Sequence, residues 1–238
     1  NPYVTILGPI DSAARRISIM GICNSIALAL PSVFIAAVTG KNIDNVALGD
    51  LDRPFIIIIC VLLVLGIITF FAPLEEIKAE GEENEEDCPY AAGKKSIWQF
   101  PHLVLGALAI FVYVGVENLA LLTVLDYAQD LGLPNPEKYT LFPGLGMAVG
   151  YVIGIVCIPK YLSQVKALRI CTWVAVIDSV MIVLTPPEVS VWCVALLSLA
   201  CSLMYPAIWP LAITELGKFT KKGSSLLVAC IGGGAVIP

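Results

Sequence analysis

The sequence predicts an all-α membrane protein, and two observations carry that prediction. Of its 238 residues, 58% are hydrophobic and 14% are charged, and the mean hydropathy is +0.88. Soluble domains carry about 25% charged residues, so an ordinary globular domain is excluded. The apolar residues also come in blocks of membrane length, because a bilayer core of about 30 Å needs roughly 20 apolar residues per helix. We therefore expect the chain to be embedded in a lipid bilayer.

Six apolar blocks predict complete spans, and two shorter blocks predict incomplete ones. The clearest is FIIIICVLLVLGIITFFA, Phe55 to Ala72, which carries no charge. Residues 1–7 look like the end of a helix, and 224–238 would make about 22 Å of helix, too short to cross. We therefore expect a piece of a longer protein. The complete spans are predicted at about residues 16–39, 54–72, 100–125, 139–158, 168–185 and 190–213.

The positions of lysine and arginine predict the orientation. If the spans alternate, all of these residues except Lys41, Arg53 and Lys138 fall on one side. Cytoplasmic loops carry the excess of Lys and Arg in membrane proteins, so that side is predicted to be cytoplasmic. The long acidic loop at 73–99 lies there and is typical of a solvated linker between two helix bundles. A regulatory role for this loop is the less favoured alternative.

The composition gives no sign of a metal, a cofactor, a nucleic-acid partner or an enzyme. Seven of the eight cysteines lie inside apolar blocks, none forms a CxxC pair, and His102 is the single histidine. Cysteine as a small packing residue is the favoured interpretation. The sequence contains no HExxH motif, and GLGM at 144–147 lacks the acid of an intramembrane aspartyl protease. We expect no cofactor and no catalytic residue.

A repeat lies on either side of the linker. RISIMGICNSIALALP, residues 16–31, aligns without gaps with GSSLLVACIGGGAVIP, residues 223–238. Both copies leave the predicted cytoplasmic side, so the repeat is parallel, which is typical of transporters built from two bundles. The predicted domains are the end of an N-terminal bundle, the linker and a C-terminal bundle, at residues 1–72, 73–99 and 100–238.

Three stretches resemble the fucose/glucose/galactose permease branch of the major facilitator superfamily. They are NPYVTILGP, IFVYVGVE and SLMYPAIWPLAITELGKFTKKGSSLLVACIGGGAVIP. The resemblance implies a monomeric, twelve-helix, two-bundle transporter of the inner membrane, usually a proton symporter, which holds a monosaccharide between its bundles. By that register the chain runs from the end of helix four into helix eleven, with helices five to ten complete.

Two questions stay open at this stage. The family's best-known coupling acids lie in helices one and four, before Asn1, so proton coupling is favoured but sodium coupling is not excluded. A membrane sensor or assembly subunit that has this fold without transporting is the alternative function.

Glu117 is the principal candidate for a functional side chain. It lies inside an apolar span, and intramembrane acids usually face a bundle interior or a water-filled cavity because a lone charge in hydrocarbon is costly. Loss of water favours the neutral, hydrogen-bonding form of such an acid. The resemblance implies that helix seven borders the central cavity. Glu117 is therefore predicted to accept sugar hydroxyls or to carry the coupling proton, with a structural hydrogen bond as the alternative.

The other candidates are polar or aromatic residues inside spans. Tyr113 shares the helical face of Glu117, whereas Asn118 is rotated by about 100°. For Asn24, sugar contact and a hydrogen bond between helices are equally favoured, and for Trp209 packing is the alternative. The predicted sugar-binding residues are Asn1, Asn24, Tyr113, Glu117, Asn118, Tyr205 and Trp209.

Two further features are predicted to serve architecture. Asp178 is a second acid inside an apolar block, and the resemblance places its helix at the periphery, so we expect a structural hydrogen bond. Gly146, Gly150 and Gly154 recur every four residues, the pattern that lets two membrane helices approach closely.

Overall fold

The structure is a computed structural model that describes residues 2–40, 46–72 and 88–238. All regular secondary structure in these ranges is helical. The α-helices are α1 (Pro2–Ile6), α2 (Ala13–Thr39), α3 (Asp52–Phe71), α4 (Pro101–Leu122), α5 (Val124–Asp130), α6 (Leu141–Cys157), α7 (Gln164–Leu184), α8 (Pro187–Ser202), α9 (Met204–Ile213), α10 (Thr220–Cys230) and α11 (Gly233–Val236). Short 3-10 helices cover Ile10–Ser12, Leu48–Leu51, Ile97–Gln99, Pro136–Thr140 and Gly217–Phe219.

The helices confirm the prediction of a multi-pass membrane protein. Five helical stretches in the described part of the chain are long and apolar enough to cross a membrane: Leu48–Phe71, Pro101–Leu122, Lys138–Cys157, Gln164–Leu184 and Pro187–Ile213. Each coincides with a predicted complete span. The remaining predicted span coincides with α2, whose 27 residues give about 40 Å of helix.

The predicted span at 190–213 consists of two helices rather than one. α8 ends at Ser202 and α9 begins at Met204, so the interruption lies at Leu203. Pro206 explains the break, because proline has no N–H to donate to the carbonyl of Ser202, four residues earlier.

The second copy of the sequence repeat is also interrupted, whereas the first copy lies in the continuous helix α2. α10 begins at Thr220, earlier than predicted, and ends at Cys230 before the four-residue helix α11. The glycines at 232–234 weaken the helix there. They also allow close packing, because a methyl group on Gly233 would collide with the backbone of Phe111 in α4.

Small residues bring α6 and α8 together as predicted. A methyl group on Gly146 would meet the carbonyl oxygen of Ala195, and one on Gly150 would meet the hydroxyl of Ser202. Glycine at these positions therefore permits the contact between the two helices.

The described residues form two compact units, Asn1–Ile22 with Ile77–Pro238, and Cys23–Glu76. In the first, a continuous core surrounds α4, α8 and α9, and Trp209 and Phe100 are its largest fully buried side chains. In the second, Pro54 is the buried residue of α3, whose other side chains present an apolar surface suited to lipid.

The domain boundaries proposed from the sequence stay a prediction. Residues 73–87, which make up more than half of the predicted linker, lie outside the described residues.

Candidate functional site

The carboxyl group of Glu117 on α4 lies in a group of phenol side chains. Tyr113, one turn earlier on α4, is 5% exposed, and Glu117 interacts electrostatically with its hydroxyl. The hydroxyl of Tyr151 on α6 has Glu117, Tyr205 and Cys201 as its electrostatic neighbours. The shared face predicted for Tyr113 and Glu117 is thus confirmed, and a second helix adds a phenol to it.

α9 adds two aromatic rings to the same place. The ring centroids of Tyr113 and Tyr205 are 6.5 Å apart with an interplanar angle of 30°. The centroids of Tyr205 and Trp209 are 5.6 Å apart. Three helices therefore converge on a set that we call the Glu117 cluster: Tyr113, Glu117, Tyr151, Tyr205 and Trp209.

Two hydrogen-bond donors of the cluster are buried and unused. Neither the Tyr113 hydroxyl nor the Trp209 indole Nε1 has a hydrogen-bond partner among the described residues. The Glu117 carboxyl interacts with the Tyr113 hydroxyl electrostatically, outside hydrogen-bonding geometry. Buried polar groups in proteins are usually paired, and an unpaired one costs about 1–3 kcal/mol. The cluster combines an acid, donors without partners and aromatic faces, which are groups that can hydrogen-bond and pack against a small polar molecule.

Comparison with known proteins identifies the fold in which this cluster lies. Over its whole length the chain is 34% identical to a glucose/galactose transporter of Brucella abortus and 24% identical to the L-fucose-proton symporter of Escherichia coli. No family model matches the chain. The crystal structure of the E. coli fucose:proton symporter FucP matches the whole chain with a TM-score of 0.80 at 22% identity. A second FucP crystal structure, of a major facilitator superfamily transporter in the outward conformation, matches with a TM-score of 0.79.

This chain has the major facilitator superfamily fold. The resemblance stated from its sequence is confirmed by these matches. The chain spans 58% of the Brucella protein, 60% of the E. coli symporter and 63% of the FucP chain in the crystal.

Sequence reasoning missed one member of the cluster within this fold. Tyr151 is 7% exposed and lies on α6, the helix to which the glycine pattern assigned a packing role. A phenol inside an apolar span was the available signal. Its electrostatic neighbour Glu117 is 34 positions earlier in the chain, so no local sequence pattern links the two residues.

The structure does not bring Asn118 into the cluster. Its side-chain Nδ2 donates a hydrogen bond of 2.9 Å to the backbone carbonyl of Val114, one turn earlier. A methyl group on Gly234 would collide with the same amide, so Asn118 faces α11. The 100° rotation between neighbouring residues on a helix explains the separation from Glu117. The sugar contact predicted for Asn118 from the sequence is untested, and the commitment of its amide favours a packing role.

The sequence also predicts sugar contact for Asn24 and Asn1. Asn24 belongs to the unit Cys23–Glu76, in which its side chain is exposed. Asn1 lies outside the described residues. Both assignments stay predictions.

Asp178 on α7 is a second acid inside an apolar helix, and it is more deeply buried than Glu117. It is 2% exposed, and neither carboxyl oxygen has a hydrogen-bond partner in the part of the chain that the structure describes. The Cys193 thiol on α8 adjoins it outside hydrogen-bonding geometry. The structural hydrogen bond predicted for Asp178 is therefore not found among the described residues.

Proposed function

We propose that this chain is part of a transporter that moves a monosaccharide across the inner membrane by alternating access, with protons as the coupling ion. The observation that carries the proposal is the Glu117 cluster, which places unpaired donors and aromatic rings beside an intramembrane acid. The proteins that match the chain over its whole length support the choice of ligand, because their names specify glucose, galactose and fucose.

The chemistry of a pyranose matches the cluster group by group. Sugar hydroxyls donate to the Glu117 carboxyl and accept from the Tyr113 hydroxyl and the Trp209 indole N–H. The faces of Tyr205 and Trp209 suit the apolar C–H face of a sugar ring. Each buried donor that gains a sugar hydroxyl recovers part of the 1–3 kcal/mol that its unpaired state costs. A purely apolar ligand would leave these groups unpaired.

Glu117 is also the candidate for proton coupling. Loss of water favours the protonated form of a carboxyl group, and acids inside membrane helices mark the proton relays of transporters. Sodium coupling is the competing proposal, and transport measurements separate the two.

The test is uptake by the full-length protein that contains residues 1–238, reconstituted in lipid vesicles. Radiolabelled D-glucose, D-galactose and L-fucose are offered separately, with an inward proton gradient, with a protonophore, and with sodium present or omitted. We expect accumulation of at least one sugar, driven by the proton gradient, abolished by the protonophore and indifferent to sodium. The sugar recovered from the vesicles should be chemically unchanged.

Glu117→Gln is the matched variant for the coupling role. If it binds sugar and equilibrates it across the membrane but no longer accumulates it, Glu117 carries the proton. Accumulation that follows sodium and ignores protons would replace proton coupling with sodium coupling. Failure of all three sugars to bind or enter would contradict the proposed transport and favour the sensor alternative.

A further inference from the structure

Tyr151, whose hydroxyl has Glu117 and Tyr205 as electrostatic neighbours, packs its ring against α2. Its ring lies against Gly21 of α2, and a Cβ atom built on Gly21 would stand 2.5 Å from Cε1 and 2.6 Å from Cζ of the ring. Real Cβ atoms do not approach carbon so closely, so hydrogen is the only side chain that fits at Gly21 while Tyr151 stays in place. The position of this ring and the approach of α2 are therefore linked.

Gly21 belongs to a continuous line of contact between α2 and α6. Ala14, Ser18 and Gly21 follow one another at helical spacing and share a face of α2. Ser18 is fully buried next to Gly154, where a methyl group would stand 2.9 Å from its hydroxyl. Ala14 packs with Ile158 at the end of α6. We call this contact the α2–α6 seam: Ala14, Ser18, Gly21, Tyr151, Gly154 and Ile158.

The seam continues beyond the two helices. The side-chain amide of Gln164, at the start of α7, donates a hydrogen bond of 2.6 Å to the carbonyl of Ile10. Gln164 is 8% exposed. By the sequence-based register, α2 belongs to the N-terminal bundle, whereas α6 and α7 belong to the C-terminal one. The seam is then a closed contact between bundles on the predicted cytoplasmic half.

We propose that Tyr151 couples sugar occupancy of the Glu117 cluster to closure of the α2–α6 seam. The inference rests on the proposed function and deepens it, because it assigns a positioning role to a residue that lies between the proposed site and α2. A sugar that bonds the Tyr151 hydroxyl fixes the ring. Because the ring fills the space beside Gly21, a shift of the ring forces α2 away from α6. Tightly packed contacts respond to such shifts by switching between arrangements rather than by gradual deformation.

The experiment uses the full-length protein with a Ser18→Cys reporter in the seam. Thiol labelling of this residue by a maleimide, quantified by peptide mass spectrometry, is slow when the seam is closed and faster when it opens. Affinities for D-glucose, D-galactose and L-fucose are measured on the same preparations. The variants are Tyr151→Phe, Gly21→Ala, and Gly21→Ala combined with Tyr151→Ala. Gly66→Ala is the matched control, because a methyl group there meets nothing within 4 Å.

Tyr151→Phe keeps the ring and removes the hydroxyl. We expect sugar affinity to fall about fivefold, labelling without sugar to stay at the wild-type rate, and the effect of sugar on labelling to disappear. Gly21→Ala adds a methyl group against the ring and should speed labelling about fivefold or more. Adding Tyr151→Ala creates room for that methyl group and should return labelling towards the rate of Tyr151→Ala alone. Gly66→Ala should behave as wild type.

The outcomes separate this inference from the proposed function. If wild-type protein binds none of the three sugars, the proposed function and this inference both fail. If wild-type protein binds a sugar and Tyr151→Phe shows wild-type affinity and a wild-type response of labelling, only the inference fails. Should Gly21→Ala not fold, the Tyr151→Phe result decides alone, since that change removes one oxygen atom and leaves the seam packing intact.

Discussion

Glu117 on α4 and Asp178 on α7 are both acids inside apolar helices, but their surroundings differ. Two phenols, on α4 and α6, interact electrostatically with Glu117, and a third phenol and an indole on α9 adjoin them. Asp178 has a thiol, that of Cys193, as its adjoining side chain. Burial disfavours the charged form of either acid, so burial alone does not distinguish a ligand site from a structural position. The groups that surround the acid make the distinction.

The two helices also differ in what they pack against. In the most apolar part of α4, 44% of the residues are buried inside the chain, compared with 22% in the corresponding part of α7. Trp173 and Ile177 on α7 are exposed and suit contact with lipid. α7 therefore offers one face to the protein, whereas α4 lies between several helices. A residue on α4 can face a shared interior, which the proposed transport requires.

The largest expected effect comes from Glu117→Ala in the full-length protein. Loss of a hydrogen bond that leaves a sugar hydroxyl unpaired costs about 1–3 kcal/mol, or roughly 5- to 150-fold in affinity. Glu117→Gln retains an acceptor and should weaken binding less. Calorimetric titration with D-glucose, D-galactose and L-fucose measures both changes. If both variants fold and bind sugar as wild type does, Glu117 is structural and its difference from Asp178 disappears.

Tyr113→Phe should have the next largest effect. The Tyr113 hydroxyl has no partner among the described residues, so its removal should leave the free energy of unfolding unchanged or slightly improved. Sugar affinity should nevertheless fall about two- to tenfold, the value of one neutral hydrogen bond. Titration and thermal unfolding in detergent measure the two quantities.

Tyr127→Phe is the matched control for Tyr113→Phe. The Tyr127 hydroxyl bonds the hydroxyl of Ser190, which in turn donates to the carbonyl of Ile182 at 2.7 Å. Loss of the Tyr127 hydroxyl should lower the free energy of unfolding by about 0.5–1.5 kcal/mol and leave sugar affinity unchanged. The reverse pattern, stability lost at Tyr113 and affinity lost at Tyr127, would contradict the assignment of the site.

Asp178→Asn tests the other side of the comparison. The amide has the size of the carboxyl group and carries no charge, so the packing of α7 on α8 is retained. We expect sugar affinity within about twofold of wild type and a change in unfolding free energy below about 1 kcal/mol. A loss of affinity as large as that of Glu117→Ala would show that both acids serve the ligand.

The sequence predicts the helices well and the site in part, for physical reasons. Membrane thickness sets the length of an apolar block, so the spans could be read from composition. Tyr113 and Glu117 could be paired because four residues make about one turn. Tyr151 could not be added, because its electrostatic interaction with Glu117 depends on how the helices α6 and α4 are arranged in space. The interruption at Gly232 likewise depends on the close approach of α11 to α4.

Asn118→Ala carries the smallest expected effect and tests how sharply the site is bounded. Asn118 directly follows Glu117, yet its amide is committed to the carbonyl of Val114 at 2.9 Å and faces α11. The carbonyl already accepts the helix hydrogen bond, so loss of the amide should cost about 0.5–1 kcal/mol of unfolding free energy at most. Sugar affinity should stay within about twofold of wild type.

Sugar titration of Asn118→Ala and of Glu117→Ala shows whether the site includes Asn118. A comparable loss of affinity in both variants would extend the site across two faces of α4. An effect confined to Glu117 places the boundary of the site between two adjacent residues, as the turn of the helix requires.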